Sequence, residues 1–250
     1  MQNNQKSEIP KIIHYCWFGN NKLNLNAKKC KVSWSKYCPE FKIIEWNESN
    51  CDLTSNQYVR EAYECKKWAF VSDYIRLKVL YDFGGIYMDT DMEVLKPLDE
   101  FLSLNAFSGF ESYERIPTGI IGAKKGNRWI YELLQDYNNR QFIKIDGTLD
   151  LTTNVKYITE KTQLLYPIKL NNTLQKFEDL VIYPFDCFCA KSLENGKISI
   201  SNDTYTIHHF SGSWLSPKKK FTKKMISIFG ISFVLKIISI KARFTRIFIK

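Results

Sequence analysis

The chain has 250 residues, 44% hydrophobic and 15% aromatic, enough for one large domain with a substantial core or two small ones. A charged fraction of 25% excludes global disorder, and seven cysteines without a C-x-x-C pair exclude a disulfide scaffold and a zinc ribbon. The net charge of +10 sits in one place: residues 218–250 hold ten Lys/Arg and no Asp or Glu, which leaves 26 basic against 26 acidic residues in 1–217. A nucleic-acid interface needs a basic stripe across a folded domain, so no nucleic-acid partner is expected. The polar opening, Met1 to Lys11, lacks the apolar run of a secretory signal, and a reduced, cytoplasmic protein is expected.

In chain order, Ile9 to Gly19 reads as a buried opening strand stopped by Gly19-Asn20-Asn21. A helix is expected over Asn26 to Tyr37 and a second strand over Phe41 to Trp46; strand, helix, strand at this spacing implies a βαβ unit and a parallel sheet. Glu61 to Phe83 reads as one long helix, stopped by Gly84-Gly85. Asp73 and Arg76, three apart within it, share a face. Ile86 to Val94 then alternates as a strand, with Tyr87, Asp89, Asp91 and Glu93 on one side. Further strands are expected at Ala106–Phe110, Gly119–Ala123, Leu180–Tyr183 and Tyr205–His209, and a helix at Arg128–Asn138.

Asp89-Thr90-Asp91 carries the chemistry. Two carboxylates at i and i+2 of a strand project to the same side, within reach of one hard cation. Mg²⁺ and Mn²⁺ prefer oxygen ligands and complete their shells with phosphate oxygens, and a departing diphosphate needs such a cation. Alone, a D-x-D pair is common on solvated strands.

Its setting is specific. Ala69-Phe70-Val71-Ser72-Asp73-Tyr74-Ile75-Arg76 leads into Gly84-Gly85-Ile86-Tyr87-Met88-Asp89-Thr90-Asp91, after an opening Ile9–Gly19 segment and before His208-His209-Phe210-Ser211-Gly212-Ser213-Trp214. In this order the motifs resemble those of glycosyltransferase family 32, whose members include initiating mannosyltransferases, capsular polysaccharide enzymes and, distantly, the catalytic domains of large glucosylating toxins. The resemblance spans about residues 9–215 and implies an α/β fold of the GT-A type, a mainly parallel sheet with flanking helices, over 1–217. It implies a nucleotide-sugar donor held by Trp17, Ser72, Asp73, Arg76, Tyr87, Asp89, Ser213 and Trp214. It further implies a metal, Mn²⁺ or Mg²⁺, held by Asp91, Asp89 and His209, with Asp89, Asp91 and Trp214 catalytic. His208, one strand position from His209, is expected to point away, and His14 to be a core histidine.

The implied reaction is transfer of a hexose, with retention, from a nucleotide diphosphate sugar, foremost a UDP-sugar, to a glycan. Where relatives carry Thr-Gly-Pro this chain has Thr152-Thr153-Asn154, and Thr118-Gly119 also departs, so the acceptor is less defined than the donor. A protein acceptor of the toxin kind, or a non-enzymatic membrane- or nucleic-acid-binding protein, are the alternatives.

The tail at 218–250 is read as a separate element. Its polar positions Ser232, Lys236, Ser239, Arg243, Arg246 and Lys250 fall at spacings of 4, 3, 4, 3 and 4, one side of a helix with an apolar remainder. Met225 to Leu235 is shorter than the roughly 20 residues of a span. A basic amphipathic helix lying on an anionic membrane is expected, with a helix packed on the domain as the alternative. The protein is accordingly expected to be peripheral at the inner face of the membrane, with a glycan or lipid-linked glycan acceptor from capsular or cell-surface polysaccharide synthesis.

Overall fold

A computed structural model describes residues 8–116 and 119–212. Ser213, Trp214 and the 218–250 tail, for which roles are expected above, lie outside the described residues. Among the described residues, those of 8–193 and 197–210 form one compact unit, to which the elements below belong.

The expected βαβ unit is present. Strand β1 (Ile12–Cys16), helix α1 (Leu25–Tyr37) and strand β2 (Lys42–Trp46) follow in order, and β1 runs parallel to β2 with Ile12 opposite Lys42 and Cys16 opposite Trp46. Asn24 starts α1 by accepting a hydrogen bond from the Ala27 N–H at 2.9 Å. The long helix expected over 61–83 is instead two, α2 (Gln57–Glu64) and α3 (Trp68–Phe83). The chain turns at Lys66, a non-glycine residue with φ of 55°, and Lys67 N–H bonds back to the Ala62 carbonyl.

After α3, strand β3 (Gly85–Met88) joins β1 in parallel, and here the sequence reading needs a second correction. The strand expected over 86–94 breaks at Asp89: Met92 N–H bonds to the Asp89 carbonyl at 3.0 Å, and β4 (Met92–Val94) belongs to a different sheet. Strands β5 (Ala106–Gly109) and β6 (Ile120–Ala123), helix α4 (Arg128–Gln135), helix α5 (Asn154–Leu165), strands β7 (Gln175–Lys176) and β8 (Val181–Tyr183), the short α6 (Phe185–Phe188) and β9 (Thr206–His208) complete the described chain. The main sheet has the order β2-β1-β3-β6-β5-β8-β7; β6 and β7 run against the other five strands, so the sheet is mixed but mostly parallel. Strands β4 and β9 form a separate antiparallel ribbon, with Met92 opposite His208.

Alternation along the strands sends side chains to two cores. Ile13, Tyr15, Ile86, Met88 and Ile120 meet Cys30 and Trp34 of α1, whereas Tyr87, Ile121 and Ile182 meet α2 to α5. Helices thus cover both faces, and the free edge is the one where β1, β2 and β3 end. No helix among the described residues is long and apolar enough to cross a membrane.

Two glycines let α3 end directly on β3. Gly84 has φ of 68° and ψ of −176°, and Gly85 has φ of 114°. The Gly84 carbonyl accepts a hydrogen bond from His14 Nε2 at 2.8 Å, while Trp46 Nε1 donates to His14 Nδ1 at 3.0 Å. His14 is therefore the Nε2–H tautomer, kept neutral because burial lowers its pKa, and serves as the core residue expected. A Cβ on Gly85 would lie 2.8 Å from both His14 Nε2 and the Ile12 carbonyl oxygen. Gly85→Ala is expected to destabilise the fold by about 2 kcal/mol or more, a strained φ added to a backbone clash, as read by chemical denaturation.

Candidate active site

The C-terminal edge of parallel strands, where backbone N–H groups and loops converge, is where an open α/β sheet places its ligand. Trp17 follows β1 there, half-buried; its backbone N–H bonds to the Trp46 carbonyl at 2.9 Å and its indole N–H to the Asn21 carbonyl at 2.5 Å. Gly19 N–H reaches Glu48 Oε1 at 2.6 Å, and a Cβ on Gly19 would lie 2.7 Å from Trp68 Nε1, so the loop after β1 rests on the start of α3. Ser72, one turn further along α3, donates its hydroxyl to the Trp68 carbonyl at 3.0 Å.

Asp73 and Arg76 are buried, not on a solvated helix face. Arg76 Nη2 bonds Asp73 Oδ1 at 3.1 Å and Asp89 Oδ1 at 3.2 Å, its Nε bonds the Ser72 carbonyl, and its guanidinium lies 4.6 Å from the Tyr87 ring centre. Burial opposes the Arg76 charge, but Asp89 above all, with Asp73, holds it protonated. Tyr87 is fully buried, burial pushes its hydroxyl pKa far up, and it donates to Asp89 Oδ1 at 3.2 Å. Two donors thus aim Asp89 from beneath, and Tyr87 is an orienting group packed in the core.

The turn decides which histidine joins the carboxylates. In an unbroken strand Asp91 would share a face with His209, whose N–H does bond the Asp91 carbonyl at 3.0 Å. Because residues 89–91 turn, the Asp91 side chain leaves that alternation and its Oδ1 lies 3.3 Å from His208 Nε2. His209 takes the diagonal position on the ribbon, with Nε2 2.7 Å from Glu93 Oε2. The expected metal set names Asp89, Asp91 and His209; among the described residues it is the ligand atoms of Asp89, Asp91 and His208 that all lie within 4.8 Å of one another. Asp91 raises the His208 pKa well above the ordinary value despite burial, which alone would lower it.

These three groups fit a divalent cation of the Mg²⁺–Mn²⁺ kind. Two carboxylates supply hard oxygen ligands, the His208 imidazole suits Mn²⁺ once it gives up its proton on binding, and the cluster lies at the sheet edge with the carboxylates partly exposed. Gly119 keeps the cradle open: its carbonyl accepts from the Asp89 N–H at 2.8 Å, and a Cβ there would lie 2.9 Å from Met92 Sδ and 3.0 Å from His208 Nδ1. Helix α1 fixes the ribbon from behind, since Trp34 Nε1 donates to the Met92 carbonyl at 2.7 Å and Ser33 Oγ accepts from the Val94 N–H at 2.9 Å.

Sequence reading missed Glu48, Trp68, Arg140, Asn154 and His208. Arg140 and Asn154 come from the segment leading into α5, which was not expected to be helical; the Thr153 side chain accepting from Lys156 N–H was its available signal.

Residues 25–108 match the family model described as the glycosyltransferase sugar-binding region containing DXD motif. The chain is 28% identical over 141 residues to inositol phosphoceramide mannosyltransferase 3 of Schizosaccharomyces pombe, covering 53% of this chain and 38% of that protein. It is 24% identical over 223 residues to an uncharacterized glycosyltransferase of Acanthamoeba polyphaga mimivirus, covering 86% of this chain and 87% of the other. Among solved structures, the PaToxG glycosyltransferase superposes with a TM-score of 0.50 at 18% identity, over 64% of this chain and 70% of that one. The chain spans well under half of the yeast relative. Its sequence is thus similar to that of DXD-containing glycosyltransferases over residues 25–108, and its fold is like that of the PaToxG glycosyltransferase.

Burial pushes the Asp73 carboxyl up to about 7, with Arg76 opposing, Asp89 adding and Arg140 opposing. A folded-state pKa above the unfolded 3.8 stabilises fully below the lower value and is lost as pH rises through the upper one. In metal-free protein, the stability of wild type relative to Asp73→Asn is expected to fall by at least about 1 kcal/mol from pH 5 to pH 8, measured by urea denaturation. A difference that does not change with pH would show Asp73 ionised throughout.

Proposed function

We propose that this chain is a metal-dependent glycosyltransferase that moves a hexose from a nucleotide diphosphate sugar, foremost a UDP-sugar, to a glycan, with retention of anomeric configuration. The observation that carries the reading is the Asp89–Asp91–His208 cluster at the sheet edge, with buried Arg76 tied to one of its carboxylates. A cation held there, Mn²⁺ on this reading, supplies positive charge where a departing diphosphate becomes more negative. Trp17, beside the β1 terminus, offers a flat face to a nucleobase. Asp73 offers a carboxylate to sugar hydroxyls, and Arg76 keeps Asp73 and Asp89 in fixed relation. Ser213 and Trp214 are assigned to the diphosphate on the family resemblance alone. The yeast relative is named a mannosyltransferase, so an activated mannose belongs in the donor panel.

Mn²⁺-dependent hydrolysis of UDP-glucose, UDP-galactose and GDP-mannose tests the reading; no turnover of any donor with Mn²⁺ or Mg²⁺ would count against it. Asp91→Asn is expected to lower the rate on the order of 10²-fold or more at saturating Mn²⁺ while leaving the fold intact. In the same assay His208→Ala is expected to raise the Mn²⁺ concentration needed for half-activity by at least about tenfold, and His209→Ala to change it little. Equal effects of the two histidine variants would remove His208 from the metal set.

The acceptor on this reading is a lipid-linked glycan of capsular or cell-surface assembly, met at the cytoplasmic face of an anionic membrane. The ten Lys/Arg without a counter-charge in 218–250 support it, each contributing about 1 kcal/mol near anionic lipid. Full-length protein is expected to co-sediment with phosphatidylserine-containing vesicles at low salt and not with purely zwitterionic ones; absence of binding to both would detach the acceptor from the membrane.

A further inference from the structure

Helix α1 differs from the other long helices in carrying charge of one sign. It holds Lys28, Lys29, Lys31 and Lys36 and no Asp or Glu, whereas α2, α3, α4 and α5 each carry both signs. Across residues 20–42 six lysines stand against one acid, Glu40, which is paired with Lys11. The placement does not serve the helix. No acid occupies its first turn, Lys28 and Lys29 lie toward the positive end of its dipole, and Lys28 repels Lys31 three positions on. Leu25, Lys28, Lys29, Val32 and Lys36 stand at i, i+3, i+4, i+7 and i+11, one side of the helix. All five are exposed, Leu25 at 78% and Val32 at 69%. The other side is buried through Ala27, Cys30, Ser33 and Trp34. Among the described residues no carboxylate forms an ion pair with Lys28, Lys29 or Lys36.

A row of lysines with aliphatic side chains between them selects its occupant. The basic 218–250 tail is repelled, and a second copy laid face to face would oppose the same lysines. A nucleic acid would meet the lysines with its phosphates and leave Leu25 and Val32 against a charged backbone. The face has neither an arginine nor an aromatic ring to read or stack on bases. An anionic lipid surface suits both parts, its headgroups taking the ammonium groups while the aliphatic side chains enter the interface. We infer that the outer face of α1 is a docking surface of the folded domain for an anionic membrane, distinct from the tail. The inference rests on the membrane reading above and deepens it. Helix α1 begins just past β1, at the sheet edge that carries the cation cluster, and its buried side holds the β4–β9 ribbon through Trp34 and Ser33. Docking by this face therefore sets the site beside the lipid surface, where a lipid-linked acceptor lies.

Acetylation footprinting of the full chain tests it, with and without vesicles of phosphatidylserine in phosphatidylcholine at low salt. Lys28 and Lys29 are expected to be acetylated more slowly when vesicles are bound. Lys66 and Lys156, exposed among the helices of the opposite sheet face, are expected to react at unchanged rates. Full-length protein with Lys28→Gln and Lys29→Gln is expected to bind the same vesicles about tenfold or more weakly than wild type. Its melting temperature and its donor hydrolysis in lipid-free buffer are expected to be unchanged, since both side chains are exposed and outside the site. Protection confined to the lysines of 218–250, or equal vesicle affinity of variant and wild type, would overturn the α1 surface and leave the membrane reading standing. Protection of Lys28 and Lys29 by a short DNA duplex and not by vesicles would overturn lipid as the occupant. Wild-type protein that binds no vesicle would take down the membrane reading together with the inference, a result distinct from the others.

Discussion

The site depends on one buried cation of the protein itself. Arg76 holds Asp73 and Asp89 with the same nitrogen while its face packs on Tyr87. Three charged groups and a phenol within the core would be untenable singly, and removing one partner of such a set typically costs 3–5 kcal/mol. Arg76 also carries its position in the fold to the site, because α3 packs against the sheet and Asp89 closes the β3 strand. Any movement of that helix relative to β3 would separate Asp89 from Arg76, while Asp73 would travel with the arginine on the same helix.

The turn at Asp89 is the complementary constraint. A strand that continued through Asp91 would have kept the carboxylates in the main sheet and turned His208 away. Breaking the strand moves residues 92–94 into a ribbon with 206–208, so segments more than a hundred residues apart supply one candidate metal set. The ribbon is itself anchored by α1 through Trp34 and Ser33, and Gly119 leaves the space that a side chain would fill. The D-x-D pair is thus a local motif whose geometry is set by three distant parts of the chain.

This division explains what the sequence discloses. The β1–α1–β2 unit is legible because an apolar run, a Gly-Asn-Asn stop and an Asn cap each act within a few residues. The carboxylates and the Asp73–Arg76 pair are legible for the same reason, being spaced along one helix and one short segment. The break at Lys66 is hidden, since no glycine marks the positive φ there. So is the choice of His208 over His209: strand parity assigns the histidine correctly only if the strand is continuous, and the alternation of residues 86–94 conceals that it is not. Helix α5 escapes because its buried positions include Asn154, Thr159 and Thr162, polar residues that dilute the apolar periodicity.

Those polar residues separate two kinds of burial. Thr162 accepts from Trp129 Nε1 and Thr159 accepts from the Ile116 N–H, so each is satisfied within the protein and contributes to its packing. Asn154, also buried, meets instead the Asp73 carboxyl of α3. The start of α5 thereby shares in holding the carboxyl that Arg76 ties to Asp89. The candidate cation ligands thus sit at the sheet edge, fixed by the ribbon and α1, and the buried groups behind them are held by two further helices, α3 and α5.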